Sequence, residues 1–114
     1  MSREIKFRAW EFEGKFMNHS PLHHVSFHGE VFEGSGNVKQ GNYALMQFTG
    51  MSDKNEKEIY EGDIVRYWGG VAPIEYNMFG FAIKATEDEY FDINEPDKIE
   101  VIGNIYENAN LIDK

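Results

Sequence analysis

LMQFTGMSDKNEKEIYEGDIV, residues 45 to 65, is the stretch from which the fold is read. Its start belongs to an apolar run, Tyr43 to Thr49, that reads as a buried strand. Asp53-Lys54-Asn55-Glu56 has turn chemistry, because short polar side chains bond their own backbone and tolerate tight corners. Ile59-Tyr60-Glu61-Gly62 reads as a short helical turn or a tight corner delivering the chain into a strand, Asp63-Ile64-Val65-Arg66-Tyr67, which Gly69-Gly70 closes. Gly62 permits the corner, Asp63 is placed to bond local backbone amides, and Ile59, Ile64 and Val65 anchor a core.

Outward from this stretch the pattern stays β. Turn residues interrupt the chain at short intervals, and brief β-branched and aromatic runs lie between them in place of long 3.6-residue periodicity. On the N-terminal side, Ile5 to Phe12 and Lys15 to Asn18 flank Glu13-Gly14, a hairpin whose turn uses the positive φ that glycine accepts. In that strand Ile5, Phe7 and Ala9 share one face, and Lys6, Arg8 and Trp10 the other. Residues 19 to 42 read as short strands and a flexible loop, with Gly34-Ser35-Gly36-Asn37 as the most linker-like tetrad. On the C-terminal side, Val71 to Tyr76 and Phe79 to Ala85 pair around Asn77-Met78, followed by strands at Glu89 to Ile93 and Ile99 to Ile102. A single helical turn closes the chain at Asn108 to Leu111.

Taken with VIGNIYEN, residues 101 to 108, the opening stretch resembles the signature of the YopX family, small proteins encoded mainly by bacteriophages and prophages, whose biochemical role is not established. The likeness covers Ile5 to Trp10, Leu45 to Val65 and Val101 to Leu111. It implies an SH3-like barrel for the second half, and five short strands joined by tight turns suggest a small barrel independently. The expected architecture is therefore mainly β: an N-terminal β region, residues 1–49, packed on a C-terminal SH3-like small β-barrel, residues 50–114, the two forming separate domains or one compact unit. Three positions depart from the family pattern. Glu56 stands where the family turn Asp-Lys-Asn-Gly has its glycine, which argues against a turn needing positive φ there. Glu11 follows Trp10 where aspartate is usual, and Ala109 replaces a common proline.

A chain of 114 residues with 41% apolar and 15% aromatic residues builds a core unaided, and aromatics at that density predict an aromatic-rich one. There are no cysteines, so disulfides, thiolate zinc sites and a cysteine nucleophile are excluded. MSREIKFRAWEFEGK lacks the apolar run of a signal peptide, and no segment reaches the roughly 20 apolar residues of a membrane helix. The expectation is a cytoplasmic protein of a bacterial host cell, with no membrane role. The net charge of −9 is unevenly placed: residues 1–57 hold seven acids and seven bases, and residues 58–114 hold thirteen acids and four bases. Phosphates repel such a surface, so nucleic-acid binding by the second half is disfavoured.

Candidate sites follow from these residues. His19, His23, His24 and His28 are the only cluster with metal-ligand chemistry. On one helix the His19/His23 and His24/His28 pairs would lie roughly 140° apart, and Pro21 disfavours helix, so a polar loop is the simpler reading and no metal or other cofactor is expected. Asp53 to Glu58 resembles the start of a calcium loop but puts Lys57 at a ligand position and Glu58 at the required glycine. Glu58, Glu61 and Asp63 invite a paired-carboxylate reading, yet no substrate pocket or nucleophile accompanies them, and no catalytic motif is present elsewhere. Arg66 is the only base near Tyr67 and Trp68 in sequence, which argues for packing over base stacking. Glu87, Asp88, Glu89, Asp92, Glu95, Asp97 and Glu100 form an acidic belt interrupted only by Lys98, and are the candidate partner-binding residues. The expected function is a noncatalytic interaction module contacting a host or phage protein. The alternatives are a nucleic-acid-associated module using Arg3, Lys6, Arg8 and Lys15, and a metal-binding protein using the histidines.

Overall fold

A computed structural model describes residues 6–19, 24–25, 31–32, 42–77 and 80–112, and the chain divides into two units, Met1–Phe48 and Thr49–Lys114. The fold is mainly β, as the short-run pattern predicts. Among the described residues no helix is long and apolar enough to cross a membrane.

In the first unit, β1 (Phe7–Glu11) lies between β2 (Phe16–Asn18) and β5 (Tyr43–Ser52), antiparallel to both. Ala9 faces Asn18 on one side and Leu45 on the other, which fixes the register. The β1–β2 turn differs from expectation: the positive φ falls on Lys15, at 56°, not on Gly14. The Lys15 amide donates to the Glu11 carbonyl at 2.8 Å, closing a four-residue loop whose last position is left-handed. Gly14 has a different role, because a Cβ there would stand 2.8 Å from the Phe16 ring. Glu11 receives a hydrogen bond from Asn18 Nδ2 at 3.0 Å, so the longer acid joins both strands of the hairpin. Two further strands, β3 (His24–Val25) and β4 (Val31–Phe32), pair antiparallel.

In the second unit the end of β5 pairs with β6 (Glu58–Tyr60), and β7 (Asp63–Tyr67) follows a tight corner at Glu61-Gly62, with Gly62 at φ 88°. The corner is a turn between strands, and the helical alternative is not adopted. β7, β8 (Gly70–Asn77), β9 (Gly80–Lys84) and β10 (Tyr90–Asp92) run as a meander, and β11 (Glu100–Asn104) returns to pair with β7. The resulting curled sheet has the order β10-β9-β8-β7-β11. Short 3-10 helices, Pro96–Lys98 and Ala109–Leu111, precede and follow β11.

The core of this unit is aliphatic. Ile59, Val65, Ala72, Ile74, Ile83, Ile99 and Val101 form it, and the burial of each isoleucine contributes roughly 1.5–3 kcal/mol. The aromatic-rich core expected from composition is not formed here: Phe81 and Phe91 pack at its edge, while Trp68, Tyr76 and Tyr90 are exposed. β-Branched side chains interdigitate on a pleated surface without a polar tip to satisfy, and of the described rings of this unit only Tyr60 is buried.

Candidate functional site

The signature stretch builds a hydrogen-bonded corner. Asp53 is buried, 4% exposed, and its carboxylate accepts three backbone N–H groups. Oδ1 receives those of Asn55 and Lys57, each at 2.8 Å, and Oδ2 receives that of Val101 at 2.8 Å. Burial alone would raise the Asp53 pKa, but the three amides and the Lys57 charge outweigh it and hold the carboxyl below its ordinary value. Asp63, the first residue of β7, accepts the Tyr60 amide at Oδ2, 2.7 Å, the local backbone bond expected of it. Thr49 donates its hydroxyl to the Ile59 carbonyl at 2.7 Å. The turn takes the positive φ that Glu56 argued against: Glu56 itself adopts φ 65° and donates its amide to the Asp53 carbonyl at 2.9 Å.

The distal motif is built the same way. Asn104 Oδ1 accepts the amides of Tyr106 and Glu107, and its Nδ2 donates to Glu107 Oε1 at 2.7 Å. Asn108 Oδ1 accepts the Asn104 amide at 3.1 Å, against a Gly103 that leaves it room. A bulge between Val101 and Gly103 lets β11 turn its Asn104 end inward against β7. The two motifs meet directly, since the Lys54 amide donates to the Ile99 carbonyl and the Ile105 amide to the Gly62 carbonyl. Asp53, Asp63 and Asn104 thus orient backbone, and of the three carboxylates read for acid–base work Asp63 accepts the Tyr60 amide while Glu58 accepts the Tyr60 hydroxyl at 3.3 Å.

The acidic belt divides in two. Glu87, Asp88, Glu89, Asp92, Glu95 and Asp97 are exposed along the β9–β10 connection, β10 and the approach to the first 3-10 helix. Glu87 lies 3.7 Å from Lys84 Nζ and Glu95 3.0 Å from Lys98 Nζ. Glu100 departs from the rest: it is half-buried and pairs with Arg66 at 2.7 Å and Lys54 at 3.9 Å. These three residues line a cleft of about 400 Å³ with Tyr67, Trp68 and Lys98. In sequence, Arg66 alone of the three cations stands beside the two aromatics. The other two cations arrive from the Asp53 turn and from the Pro96–Lys98 helix, which long-range backbone bonds bring to the end of β7. A second cleft of about 400 Å³, lined by Ile74, Glu75, Lys84, Ile105 and Ile112 among others, lies across β8 and β9. There Glu75 accepts a hydrogen bond from Lys84 and raises its pKa.

The histidines are brought into no described cluster. His19 is exposed after β2 and His24 opens β3, while His23 and His28 lie outside the described residues. Among the described residues no group of three metal-ligating side chains is assembled. Of the basic residues proposed for nucleic acid in the first half, Arg8 is 6% exposed with Nη2 donating to Met46 Sδ at 3.7 Å, and Lys6 stacks over the Phe48 ring at 4.7 Å. Lys15 is exposed, and Arg3 lies outside the described residues.

The chain is a small β protein, a bulged meander in which a buried aspartate joins the two signature motifs. The chain belongs to the YopX family: the family model described as YopX protein matches residues 6–113. Among solved structures it is similar to protein EF1440 from Enterococcus faecalis, with a TM-score of 0.69 and 28% identity over 98% of this chain and 100% of that one. No curated protein matches it.

Proposed function

We propose that this chain is a noncatalytic interaction module that docks a basic protein surface through the exposed part of its acidic belt. The observation that carries the reading is the sorting of its carboxylates. Asp53 and Asp63 are buried against backbone amides, whereas Glu87, Asp88, Glu89, Asp92, Glu95 and Asp97 are exposed within the eleven residues from 87 to 97. A run of like charge attracts a complementary surface and accelerates encounter, with a steep dependence on salt. Membership of the YopX family supports placing the module among phage- or prophage-encoded accessory proteins working in a bacterial cytoplasm. Affinity capture from host cells, with wild type beside a variant carrying Glu87→Gln, Asp88→Asn, Glu89→Gln, Asp92→Asn and Asp97→Asn, tests it. A basic protein retained by wild type at low salt, and lost both with the variant and at high salt, is the expected result. Equal retention by the two forms discards the belt.

A further inference from the structure

The cleft at the end of β7 combines features that the acidic surface around it does not share. Trp68 is 61% exposed, and its indole is braced from behind by edge contacts to Tyr67, 5.3 Å between centroids, and Phe91, 5.9 Å. Lys54, Arg66 and Lys98 line the same space with Glu100 as the one carboxylate. Glu100 pairs with two of these cations and so holds them side by side. Glu95 hydrogen-bonds the Lys98 ammonium at 3.0 Å and raises its pKa, which keeps it cationic. Three cations beside a braced, solvent-facing indole match a ligand with an anionic group next to a planar ring.

We propose that this cleft is a stacking site for single-stranded nucleic acid, with one base on Trp68 and the adjoining phosphate among Lys54, Arg66 and Lys98. Base–aromatic stacking is tolerant of sequence because every base has a π-face, and a cationic groove beside the ring tracks the backbone. The volume, about 400 Å³, suits one nucleotide. Glu95 and Asp97 of the belt act on Lys98, and Glu100 pairs with Lys54 and Arg66, so a phosphate inside the cleft competes with these carboxylates for its cations, and charges beyond a Debye length of about 8 Å add little at physiological salt. A duplex is excluded, since its bases are already stacked on one another. The inference is independent of the docking role of the belt.

The test is fluorescence anisotropy of a short labelled oligothymidylate titrated with the 114-residue chain at about 50 mM salt. Wild type is expected to bind, Trp68→Ala to bind roughly tenfold or more weakly, and Trp68→Phe to fall between them. Lys54→Gln/Lys98→Gln is expected to weaken binding and to lower the slope of log affinity against log salt by about 1.4, which a purely structural change would leave unaltered. Circular dichroism checks that each variant keeps its fold. Absence of any anisotropy change, unchanged affinity in Trp68→Ala, or equal competition by duplex DNA or a polyglutamate peptide overturns the assignment.

Discussion

The Asp53 carboxylate accepts the backbone N–H of Val101 at 2.8 Å across a sequence separation of 48, joining the polar turn after β5 to the strand that closes the sheet. The same carboxylate holds its own turn through Asn55 and Lys57. One side chain therefore sets both a local conformation and a long-range register. Asp53→Asn keeps one acceptor oxygen but turns an NH₂ group toward an amide donor, and leaves a buried N–H unsatisfied. A loss of about 2–4 kcal/mol is expected in urea unfolding.

Acid should act through the same residue. The Asp53 pKa is lowered in the folded state, so the unfolded chain binds its proton at a higher pH than the folded one. The stability it contributes is fully present above the unfolded value, near 3.8, and disappears as pH falls through the folded value. Urea midpoints measured from pH 6 downward (roughly, the range above and below the carboxylate pKa) should drop more steeply for wild type than for Asp53→Asn. Parallel curves would mean that other carboxylates dominate the acid response.

Glu56 carries a backbone conformation that L-residues with a Cβ adopt at a cost, with φ at 65°. Its side chain is exposed, so replacement changes little but the backbone preference. Glu56→Gly and Glu56→Asn are expected to stabilise the protein by about 0.5–1 kcal/mol, and Glu56→Val to destabilise it by at least as much, read as shifts in Tm. Glycine gains less than the removed strain because it also frees the unfolded chain.

Gly103 lies under the Asn108 side chain, and a Cβ there would come within 2.5 Å of Asn108 Oδ1. That oxygen is held by the Asn104 amide, so it cannot withdraw without breaking the bond. Gly103→Ala should cost about 1–3 kcal/mol. In a cycle with Asn108→Ala the two losses should fall short of additivity, because the second substitution removes the atom that the first collides with.

The cleft cations should matter little for folding. Arg66 and Lys54 pair with Glu100 while more than half exposed, and exposed pairs contribute about 0–1 kcal/mol. Lys54→Gln/Lys98→Gln should therefore unfold within about 1 kcal/mol of wild type by urea titration.

Local chemistry made part of this fold legible in advance. Asp63 to Tyr67 is a strand with the bounds its residues suggest, Gly62 turns the corner before it, and the last helical turn falls at Ala109–Leu111. Each follows from interactions within a few residues. Where tertiary contacts decide, the sequence was less transparent. Glu56 reads as a poor turn residue, yet Asp53 and Val101 fix the turn around it; composition predicts an aromatic core, yet isoleucines fill the second unit. Glu100 reads as one acid among seven until β7 brings Arg66 opposite it. Lys54 and Lys98 lie far apart in sequence, and no periodicity announces that they share a cleft with Trp68.

The Asp53 pin also separates heredity from employment. Residues that accept the chain's own amides cost stability when replaced, which favours their retention. The side chains of Trp68, Lys98 and the exposed acids stand in solvent, where replacement costs the fold little. Relatives with the same corner are thus expected to differ in their ligands, and shared ancestry read from Asp53, Gly62 and Asn104 carries no guarantee of a shared task.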